Sequence, residues 1–289
     1  MAQAQKLTLE QKASRLLELH HGSSPLILIN AWDAASAAMI QHCGFPAIAT
    51  SSAAVANALG YPDGQKLPWP EMLLMVKRIA RNVHVPVTAD IEAGFASDLK
   101  SLEEYIQLIV AAGIVGVNLE DALPGHEHFG PLYPLAEQVE RIQTARRAGA
   151  TQGIHLVINA RVDAYWQSGV SPEDALRNTL ERGKAYLQAG ADCIFVPGLR
   201  NPDHIKTVID HLRTVHPQGP LNILAGPGVP SIPELTKLDV KRVSYGSGPH
   251  RAAMGLLRRI ADEAKSSGTY TALTEGAVPY AEMNWLMGK

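Results

Sequence analysis

The sequence has little cysteine and no concentration of charge of either sign. Its two cysteines, Cys43 and Cys193, are too few for a disulfide framework in a chain of 289 residues. Basic residues number 26 and acidic residues 28, and the lack of long lysine or arginine runs leaves no footprint for nucleic acid or anionic lipid. No uninterrupted apolar stretch reaches the length of a membrane span. We therefore expect a small-molecule partner, with no nucleic-acid and no membrane partner.

The amino terminus lacks the basic-then-apolar order of a secretory signal. The apolar spacing of an amphipathic helix occurs there instead, in MAQAQKLTLEQKASRLLELHHG, and this predicts a cytoplasmic protein. A single α/β barrel is commonly of this length, so the length of the chain does not require two domains.

Short apolar runs alternate along the chain with segments of helical periodicity. In the helical segments, such as SPEDALRNTLERGKAYLQAG, apolar residues recur every three or four positions. The pattern predicts a βα unit repeated about eight times. The predicted strands are 26–30, 47–51, 85–90, 116–120, 155–161, 193–198, 221–226 and 242–246.

A recurring turn supports closure of these units into a ring. Gly44, Gly113 and Gly190 each follow a helical segment and precede an apolar strand, which predicts helix caps, and Asp239 takes the same place before the last strand. Repeated use of one turn favours parallel strands with all helices outside, so we predict an α/β fold of the (β/α)8 TIM-barrel type. A doubly wound sheet is the alternative, but LINAWDAAS after the first strand lacks a phosphate-binding glycine fingerprint.

Acidic residues collect where the predicted strands end, which is the functional rim of such a barrel. In TADIEAGF, Asp90 and Glu92 are two positions apart, so on a strand they would share a face. Two like charges so close are costly unless a cation lies between them. Carboxylates without histidine or cysteine partners suit Mg²⁺, or alternatively Mn²⁺, and Asp90 is the expected direct ligand. The other polar residues at this rim are Ser51, Ser52, Asp63, Glu120, Asp121, Asn159, Arg161 and Asp163.

Several of these stretches together resemble the isocitrate lyase and phosphoenolpyruvate mutase superfamily, over nearly the whole chain. TADIEAGF is similar to that family's pair of acids followed by glycine and an aromatic residue, although the family commonly has aspartate where Glu92 stands. VGVNLEDA resembles its glutamate-aspartate strand end, INARVDA its arginine strand, and TSSAAVANALGYPD its substrate loop followed by a metal-site aspartate.

The resemblance implies roles for individual positions. Asp90 would bind the metal, with Asp63, Glu92 and Glu120 completing the shell through water. The carboxylate of a 2-oxo acid would be held by Ser51, Ser52 and the Ala53 amide, with Asp63 close by, while Arg161 would face the same ligand. Arg161 and Glu120 are thus candidate catalytic residues. Asp33 and Asp121, by contrast, suit structural roles as a helix cap and an ion-pair partner.

The loop after the fourth predicted strand departs from the relatives. Lyases of the family carry a catalytic cysteine there and phosphonate-processing members a lysine, whereas LEDALPGHEHFGPLYPLAEQ has no cysteine and has Ala122 at the lysine position. The isocitrate and methylisocitrate lyase reactions are therefore disfavoured, and phosphoenolpyruvate mutation is weakened. His126 and His128 are candidate general acids or bases in a lid, because the free pKa of histidine is near neutrality; the alternative is a solvated polar loop.

Three functions follow as hypotheses. The first is a Mg²⁺-dependent lyase or hydrolase that cleaves a carbon-carbon bond of a 2-oxo or 2-hydroxy (di)carboxylic acid through a metal-stabilised enolate. The second is carbon-phosphorus chemistry on a phosphonate, of the phosphonopyruvate hydrolase or phosphoenolpyruvate mutase type. The third, from another class, is a barrel that binds a 2-oxo acid without turnover.

The carboxyl-terminal segment falls outside the repeating pattern. We divide the chain into a barrel domain with its amino-terminal helix, 1–267, and a helical arm, 268–289. The arm is rich in large apolar residues, including Trp285, Leu286 and Met287, so we expect it to be buried. Relatives exchange their last helices between subunits, which implies a homodimer or homotetramer; the alternative is packing on its own barrel.

Overall fold

Nine parallel strands form the centre of the computed structural model, which describes residues 7–125 and 130–288. All eight predicted strands are present, and the first is divided in two at Ile29. The strands are β1 (Leu26–Leu28), β2 (Asn30–Ala31), β3 (Ile48–Thr50), β4 (Val87–Asp90), β5 (Gly116–Glu120), β6 (Val157–Arg161), β7 (Cys193–Phe195), β8 (Leu221–Leu224) and β9 (Arg242–Ser244).

The strands are arranged as a nearly closed barrel. From β2 to β9 each strand pairs in parallel with the next one in sequence, and β1 returns to pair with β9. Because β1 and β2 are consecutive parts of one strand, the two edges of the sheet meet, and the predicted (β/α)8 architecture is confirmed. The carboxyl ends of all the strands consequently lie at one rim.

Helices surround the barrel and follow the strands in order. Their apolar faces pack on the outside of the sheet, where Ile106, Ile142 and Val208 are fully buried. The helices are α1 (Leu9–Leu19), α2 (Ala34–His42), α3 (Ser52–Ala58), α4 (Trp69–Arg81), α5 (Leu99–Ala111), α6 (Leu135–Thr151), α7 (Pro172–Gln188), α8 (Pro202–Leu212), α9 (Ile232–Lys237), α10 (Gly248–Ser266), α11 (Thr271–Thr274) and α12 (Tyr280–Met287), with a 3₁₀ helix at Ala164–Trp166.

The predicted turns between helices and strands are confirmed. Gly44, Gly113 and Gly190 have φ values of +87°, +104° and +104°, in the left-handed region that glycine adopts without strain. Asp239 takes the equivalent turn with φ +64°. Asp33 caps α2, where its Oδ1 accepts a hydrogen bond from the Ser36 amide at 2.7 Å, as the sequence predicts.

Helix α1 lies against the amino-terminal end of the barrel, opposite the functional rim. Leu16 is fully buried there, and its side chain occupies the space above Gly116 where a larger residue would clash. His20, just beyond the helix, is also buried and lies 3.4 Å from the guanidinium of Arg242. The predicted amphipathic helix is therefore present and covers one end of the barrel interior.

The carboxyl-terminal helices extend from the barrel. Helix α12 contacts α2, where the rings of Trp285 and His42 lie 5.5 Å apart, edge to face. Large apolar side chains on α10, α11 and α12 are nevertheless exposed, among them Leu257, Leu273 and Tyr280. None of the helices in the described ranges is both long and apolar enough to cross a bilayer.

Candidate active site

A cavity of about 180 Å³ opens at the carboxyl ends of the strands. It brings together six of the residues predicted from the sequence: Ser51, Ser52, Ala53, Asp63, Asp90 and Arg161. The rest of the wall consists of residues that were not predicted to be site residues: Asn30, Asn118, Phe195, Leu224, Ala225, Ser244, Tyr245, Gly246, Ser247 and Arg251, together with Trp166, for which the sequence suggested packing or pocket lining. A larger groove of about 610 Å³ lies at the opposite end beside α1, but its lining includes a single acidic residue, Glu18, and offers no converging set of carboxylates.

Asp90, the last residue of β4, has one carboxylate oxygen held and one available. Oδ2 accepts hydrogen bonds from the amide of Ser52 at 3.0 Å and from its hydroxyl at 2.8 Å. Oδ1 is buried and has no hydrogen-bond partner among the described residues. The hydroxyl of Ser51 accepts a hydrogen bond from the Ala54 amide at 3.4 Å and caps α3. Both serines therefore have protein contacts in addition to their places on the cavity wall.

Glu92 reaches the site by a route that differs from the expected one. The sequence suggested two acids on one face of a strand, but β4 ends at Asp90, and Glu92 lies in a turn with φ +50°. Its side chain is buried, and Oε2 accepts a hydrogen bond from the Gln65 amide at 2.6 Å. The expectation of strand alternation is thus wrong at this position, because the strand has ended before Glu92 and the backbone there is left-handed.

Gln65 joins the loop that follows α3 to the loop that follows β4. Besides its amide bond to Glu92, its side-chain Oε1 accepts a hydrogen bond from the Phe95 amide at 2.6 Å. Gln65, Glu92 and Phe95 all have left-handed backbones, with φ of +57°, +50° and +56°. Such conformations are unfavourable for these residue types and occur mainly where the surrounding structure and function require them.

Burial and neighbouring charges raise the pKa values of two acids at this rim, Glu92 and Glu120. Burial, followed by the charges of Asp63 and Asp90, raises the pKa of Glu92 to about 8. Burial also raises the pKa of Glu120 well above its ordinary value, although Arg161 acts in the opposite direction. A cation among these groups would relieve the repulsion that opposes their ionisation.

The donor atoms fit a hard divalent cation such as Mg²⁺. Glu92 Oε1, like Asp90 Oδ1, is buried without a hydrogen-bond partner among the described residues. Within residues 7–125 and 130–288, no three histidine, cysteine or acidic side chains converge closely enough to hold a metal ion directly. Mg²⁺ commonly takes one or two carboxylates and keeps several waters, so a single direct ligand, Asp90, with water-mediated partners stays the prediction.

Arg161, the last residue of β6, is held by two carboxylates. Its Nη1 lies 2.6 Å from Glu120 Oε2, and its Nε donates to Asp163 Oδ1 at 2.7 Å. Its guanidinium carbon also lies 4.8 Å from the centre of the Trp166 ring. Burial opposes its charge, but Asp163 and Glu120 together raise the pKa of Arg161. It therefore presents a permanent positive charge in a fixed orientation at the cavity.

Asp121 has the structural role expected of it. Its Oδ2 accepts hydrogen bonds from the Tyr186 hydroxyl at 2.8 Å and from Arg182 at 3.1 Å, and its Oδ1 accepts one from the Asp163 amide at 2.9 Å. The residue is fully buried and is absent from the cavity wall. It joins β5 to α7 and to the residues that follow β6, and so supports the position of Arg161.

Asn30 is one of the residues that sequence reasoning missed. Its Oδ1 accepts hydrogen bonds from the amides of Tyr245 and Gly246 at 2.8 and 2.9 Å, and its Nδ2 donates to the Thr50 carbonyl at 2.7 Å. It thereby joins β2, β3 and the loop after β9, which carries three of the missed residues. A polar residue ending the apolar run LILIN was the available signal.

The candidate acid-base histidines, His126 and His128, lie outside the described residues, so their role stays a prediction. The flanking loop begins at Ala122, which forms an antiparallel bridge with Leu132. Cys43 is exposed at the end of α2, by the groove at the opposite end of the barrel, and does not line the cavity.

The chain is similar to known proteins over most of its length. The family model for phosphoenolpyruvate phosphomutase matches residues 16–265. An uncharacterized Mycobacterium tuberculosis protein is 31% identical over 92% of this chain and 93% of its own. The 2,3-dimethylmalate lyase of Eubacterium barkeri is 27% identical, covering 96% and 94%. Oxaloacetate decarboxylase 2 of Pseudomonas fluorescens is 25% identical, covering 89% and 86%.

Solved structures have the same architecture. A Burkholderia cenocepacia protein that is provisionally named a lyase/mutase superposes with a TM-score of 0.86 at 34% identity, covering 97% of this chain and 98% of its own. Phosphonopyruvate hydrolase in complex with oxalate and Mg²⁺ superposes with a TM-score of 0.80 at 25% identity, covering 96% and 95%. The family match spans every strand of the barrel and therefore includes the whole cavity.

Proposed function

Because the chain belongs to the phosphoenolpyruvate phosphomutase family, within the isocitrate lyase and phosphoenolpyruvate mutase superfamily, we propose that it is a Mg²⁺-dependent carbon-carbon lyase or hydrolase. The superfamily contains lyases as well as phosphonate mutases and hydrolases, so membership supports the general class of enzyme. The substrate in this proposal is a 2-oxo or 2-hydroxy acid, in particular a dicarboxylate. Relatives named for dimethylmalate and oxaloacetate support that choice of compound.

The proposed metal site centres on Asp90. Its available Oδ1 would be the direct ligand, and Glu92, Asp63 and Glu120 would act through water. When bound, Mg²⁺ supplies Lewis-acid stabilisation of negative charge that develops on a substrate oxygen. Ser52 keeps Oδ2 occupied through two hydrogen bonds, and this fixes the rotation of the carboxylate and leaves Oδ1 as its available oxygen.

Arg161 would bind the acidic end of the substrate and stabilise charge as a bond to carbon three breaks. Its ion pairs with Glu120 and Asp163 hold the guanidinium in place before substrate arrives, so little reorganisation accompanies the reaction. Trp166 and Phe195 lie near its guanidinium at 4.8 and 5.9 Å and limit the access of water, which strengthens the electrostatic interaction.

The observation that carries the proposal is the position of three groups at one rim of the barrel, where Asp90 and Arg161 line the cavity and Glu92 lies two residues beyond Asp90. Two buried carboxylate oxygens without hydrogen-bond partners in the described residues, on Asp90 and Glu92, lie at the same rim as the fixed cation Arg161. That combination suits a divalent ion together with an anionic oxygen-rich ligand.

Carbon-phosphorus chemistry is the second candidate function. It is supported by the similarity to phosphonopyruvate hydrolase and phosphoenolpyruvate phosphomutase. We rank it second because Ala122 stands where the phosphonate-processing relatives carry lysine, and an alanine methyl group cannot bind a phosphonate oxygen.

A substrate panel separates the candidates. Purified protein with Mg²⁺ is incubated with oxaloacetate, dimethylmalate, methylisocitrate and phosphonopyruvate, while pyruvate, oxalate and phosphate are followed. We expect pyruvate from a lyase substrate, or oxalate from hydrolysis of oxaloacetate, with Asp90→Asn as the inactive comparison. Release of phosphate, or rearrangement of phosphonopyruvate, would establish the second candidate. Absence of turnover across the panel, with oxalate still bound, would instead support a barrel that only binds its ligand.

A further inference from the structure

The barrel interior beneath the cavity is polar, whereas barrel interiors of this type are generally filled by branched apolar side chains. Asn118 on β5, Asn159 on β6 and Arg242 on β9 are all buried there, and Arg242 is completely inaccessible to solvent. Burying polar and charged side chains costs free energy. A polar layer in the barrel interior therefore indicates a specific structural or functional role.

Arg242 is a buried cation whose contacts are with neutral groups. Nη2 donates to Asn118 Oδ1 at 3.1 Å, and Nη1 lies 3.4 Å from His20 Nε2. No carboxylate among the described residues forms an ion pair with it, and its Nε has no hydrogen-bond partner in the same ranges. Its positive charge is therefore uncompensated by direct contact, directly below the cavity.

His20 contacts the second terminal nitrogen of Arg242, Nη1, and the protonation state of the His20 ring can be assigned. Its Nδ1 lies 2.8 Å from the Leu16 carbonyl oxygen, so this nitrogen must carry the proton, and Nε2 is then the acceptor that faces Arg242. Burial, and next the charge of Arg242, lower the pKa of His20 to about 4, which keeps the ring neutral. The neutral His20 ring therefore helps to hold the Arg242 guanidinium in position.

The contact with Arg242 decides which way the Asn118 amide points. A guanidinium has donors and no acceptor, so the Asn118 atom that faces it must be the carbonyl oxygen. Asn159 Nδ2 donates to the same Oδ1 at 2.8 Å. The amino group of Asn118 is therefore on the other side of the amide, and within the described chain it donates to no protein acceptor.

The amino group lies next to the proposed metal ligand. Asn118 lines the cavity, and it is the direct cross-strand partner of Asp90 in the pairing of β4 with β5. Neighbouring strands are about 4.8 Å apart, so a ligand close to Asp90 is within reach of Asn118. Because Asn118 presents hydrogens there, the matching ligand atom is an oxygen without a hydrogen, as in a carboxylate or a keto group.

We propose that Asn118 is a substrate-binding residue whose amide donates a hydrogen bond to a carboxylate or keto oxygen, and that Arg242 is the positioning residue that orients it. The role rests on the proposed function, since the ligand is the 2-oxo acid placed there. It extends that function by giving the substrate a further contact on the floor of the cavity, in addition to the metal site and Arg161.

Calorimetric titration of the Mg²⁺-loaded protein with oxalate tests the role of Asn118. Asn118→Ala should weaken oxalate binding by about 10- to 100-fold, because a charged oxygen of the bound oxalate would lose its hydrogen-bond donor. Asn118→Asp keeps the acceptor for Arg242, and so protects the fold, but replaces the donor with a repelling oxygen; oxalate binding should be lost. Thr179→Val is the control, because Thr179 is a fully buried polar residue on α7 that does not line the cavity. Its oxalate affinity should equal that of the wild type.

The positioning role of Arg242 is tested by comparing a conservative substitution with a non-conservative one. Arg242→Lys keeps a donor-only cation and should retain oxalate affinity within about tenfold of the wild type, whereas Arg242→Gln, which can turn either end of its amide toward Asn118, should lose more. Equal losses in the two variants would reduce Arg242 to a packing residue and overturn its part of the proposal.

The outcomes distinguish this role from the proposed function. If the wild type binds oxalate and Asn118→Ala and Asn118→Asp bind it equally well, the role of Asn118 is overturned and the proposed function stands. If the wild type fails to bind oxalate in the presence of Mg²⁺, the proposed function is overturned, and the role of Asn118 with it.

Discussion

At the scale of single residues, the proposed chemistry depends on how individual polar atoms are held. Asp90 and Arg161 each have part of the side chain fixed by protein contacts and part directed to the cavity. Fixing one half of a functional group reduces the entropy lost when the other half binds a ligand. The chemistry therefore depends on the bonding partners as much as on the two residues themselves.

Replacing Arg161 by lysine should reduce turnover strongly while leaving the protein folded. Lysine keeps the charge but cannot contact Glu120, Asp163 and the substrate together, since it lacks the planar fork. We expect kcat to fall by about 100- to 1,000-fold, the usual effect of losing one preorganised donor. The comparison is Arg200→Lys, an exposed arginine after β7, which should retain full activity. Equal rates in both variants would remove Arg161 from the chemistry.

Part of the site could be predicted residue by residue, and part could not. Asp90, Glu120 and Arg161 end apolar strands, and a charge in that place is conspicuous in the sequence. Asn118 and Arg242 could not be identified, because a single polar residue inside a strand predicts nothing until its partners across the barrel are known. Gln65 was missed for a similar reason, since its contacts come from a loop almost 30 residues away in sequence.

At the scale of elements, hydrogen bonds connect the two loops that form the proposed metal-binding rim. The loop after α3 supplies Gln65, and the loop after β4 supplies Glu92 and Phe95, and the three are connected by two hydrogen bonds of 2.6 Å. The sequence correctly predicted that β4 ends at Asp90. It did not predict the left-handed turn that follows, because glutamate rarely adopts such a backbone conformation.

Gln65→Ala should weaken divalent metal binding without unfolding the barrel. The substitution removes the side-chain bond to Phe95, so the turn that carries Glu92 loses its support. Loss of an outer-shell contact typically costs about 10- to 100-fold in metal affinity, and we expect a change of that size in a Mg²⁺ titration. Lys66→Ala, at the exposed neighbouring position, is the control. Unchanged affinity in Gln65→Ala would show that the two loops act independently.

A second network supports the strand that ends in Arg161. Asp192, just before β7, accepts hydrogen bonds from the Ile158 amide of β6 at 2.8 Å and from Arg146 of α6 at 2.5 Å, and it lies 2.6 Å from His155. Burial opposes its charge, but His155 and Arg146 hold the pKa of Asp192 below its ordinary value of 3.8. The charged form is therefore stabilised in the folded protein.

This network predicts a pH-dependent difference in stability. Because the folded pKa of Asp192 lies below the unfolded one, its contribution is present above pH 3.8 and is lost as the pH falls through the folded pKa. Asp192→Asn should lower the free energy of unfolding at neutral pH by about 1.5 to 3 kcal/mol, the range for hydrogen bonds to charged groups. Urea unfolding of the two proteins should converge as the pH is taken well below 3.8. A difference that is constant with pH would mean that the charge contributes nothing.

At the scale of the whole molecule, the repeated turn between helix and strand predicted the barrel correctly. One local rule used several times specifies a closed parallel sheet, because each unit has the same handedness and places its helix outside. The position of the carboxyl-terminal helices was not predictable in the same way. Their sequence indicates burial, but it does not say against which surface.

The exposed apolar side chains of these helices predict association between copies. Leu257 and Leu273 are 55% and 53% exposed, and Tyr280 is 86% exposed, which is unfavourable for a monomer in water. We expect a homodimer or homotetramer by light scattering, and a monomer for the double variant Leu257→Asp/Leu273→Asp. Leu108→Asp on α5 is the control, since Leu108 is 47% exposed on a helix that contacts α4 and α6, and it should not dissociate the assembly. A monomeric wild type would contradict the expectation.

The central claim is that Asp90 holds a divalent cation at the rim of the barrel. The most direct measurement is titration of the metal-free protein with Mn²⁺, followed by electron paramagnetic resonance of the free ion, in the wild type and in Asp90→Asn. The account predicts one tightly bound ion per chain in the wild type. In Asp90→Asn affinity should fall by more than the roughly 100-fold that an outer-shell change can cause. Equal affinity and stoichiometry in the two proteins would contradict the account.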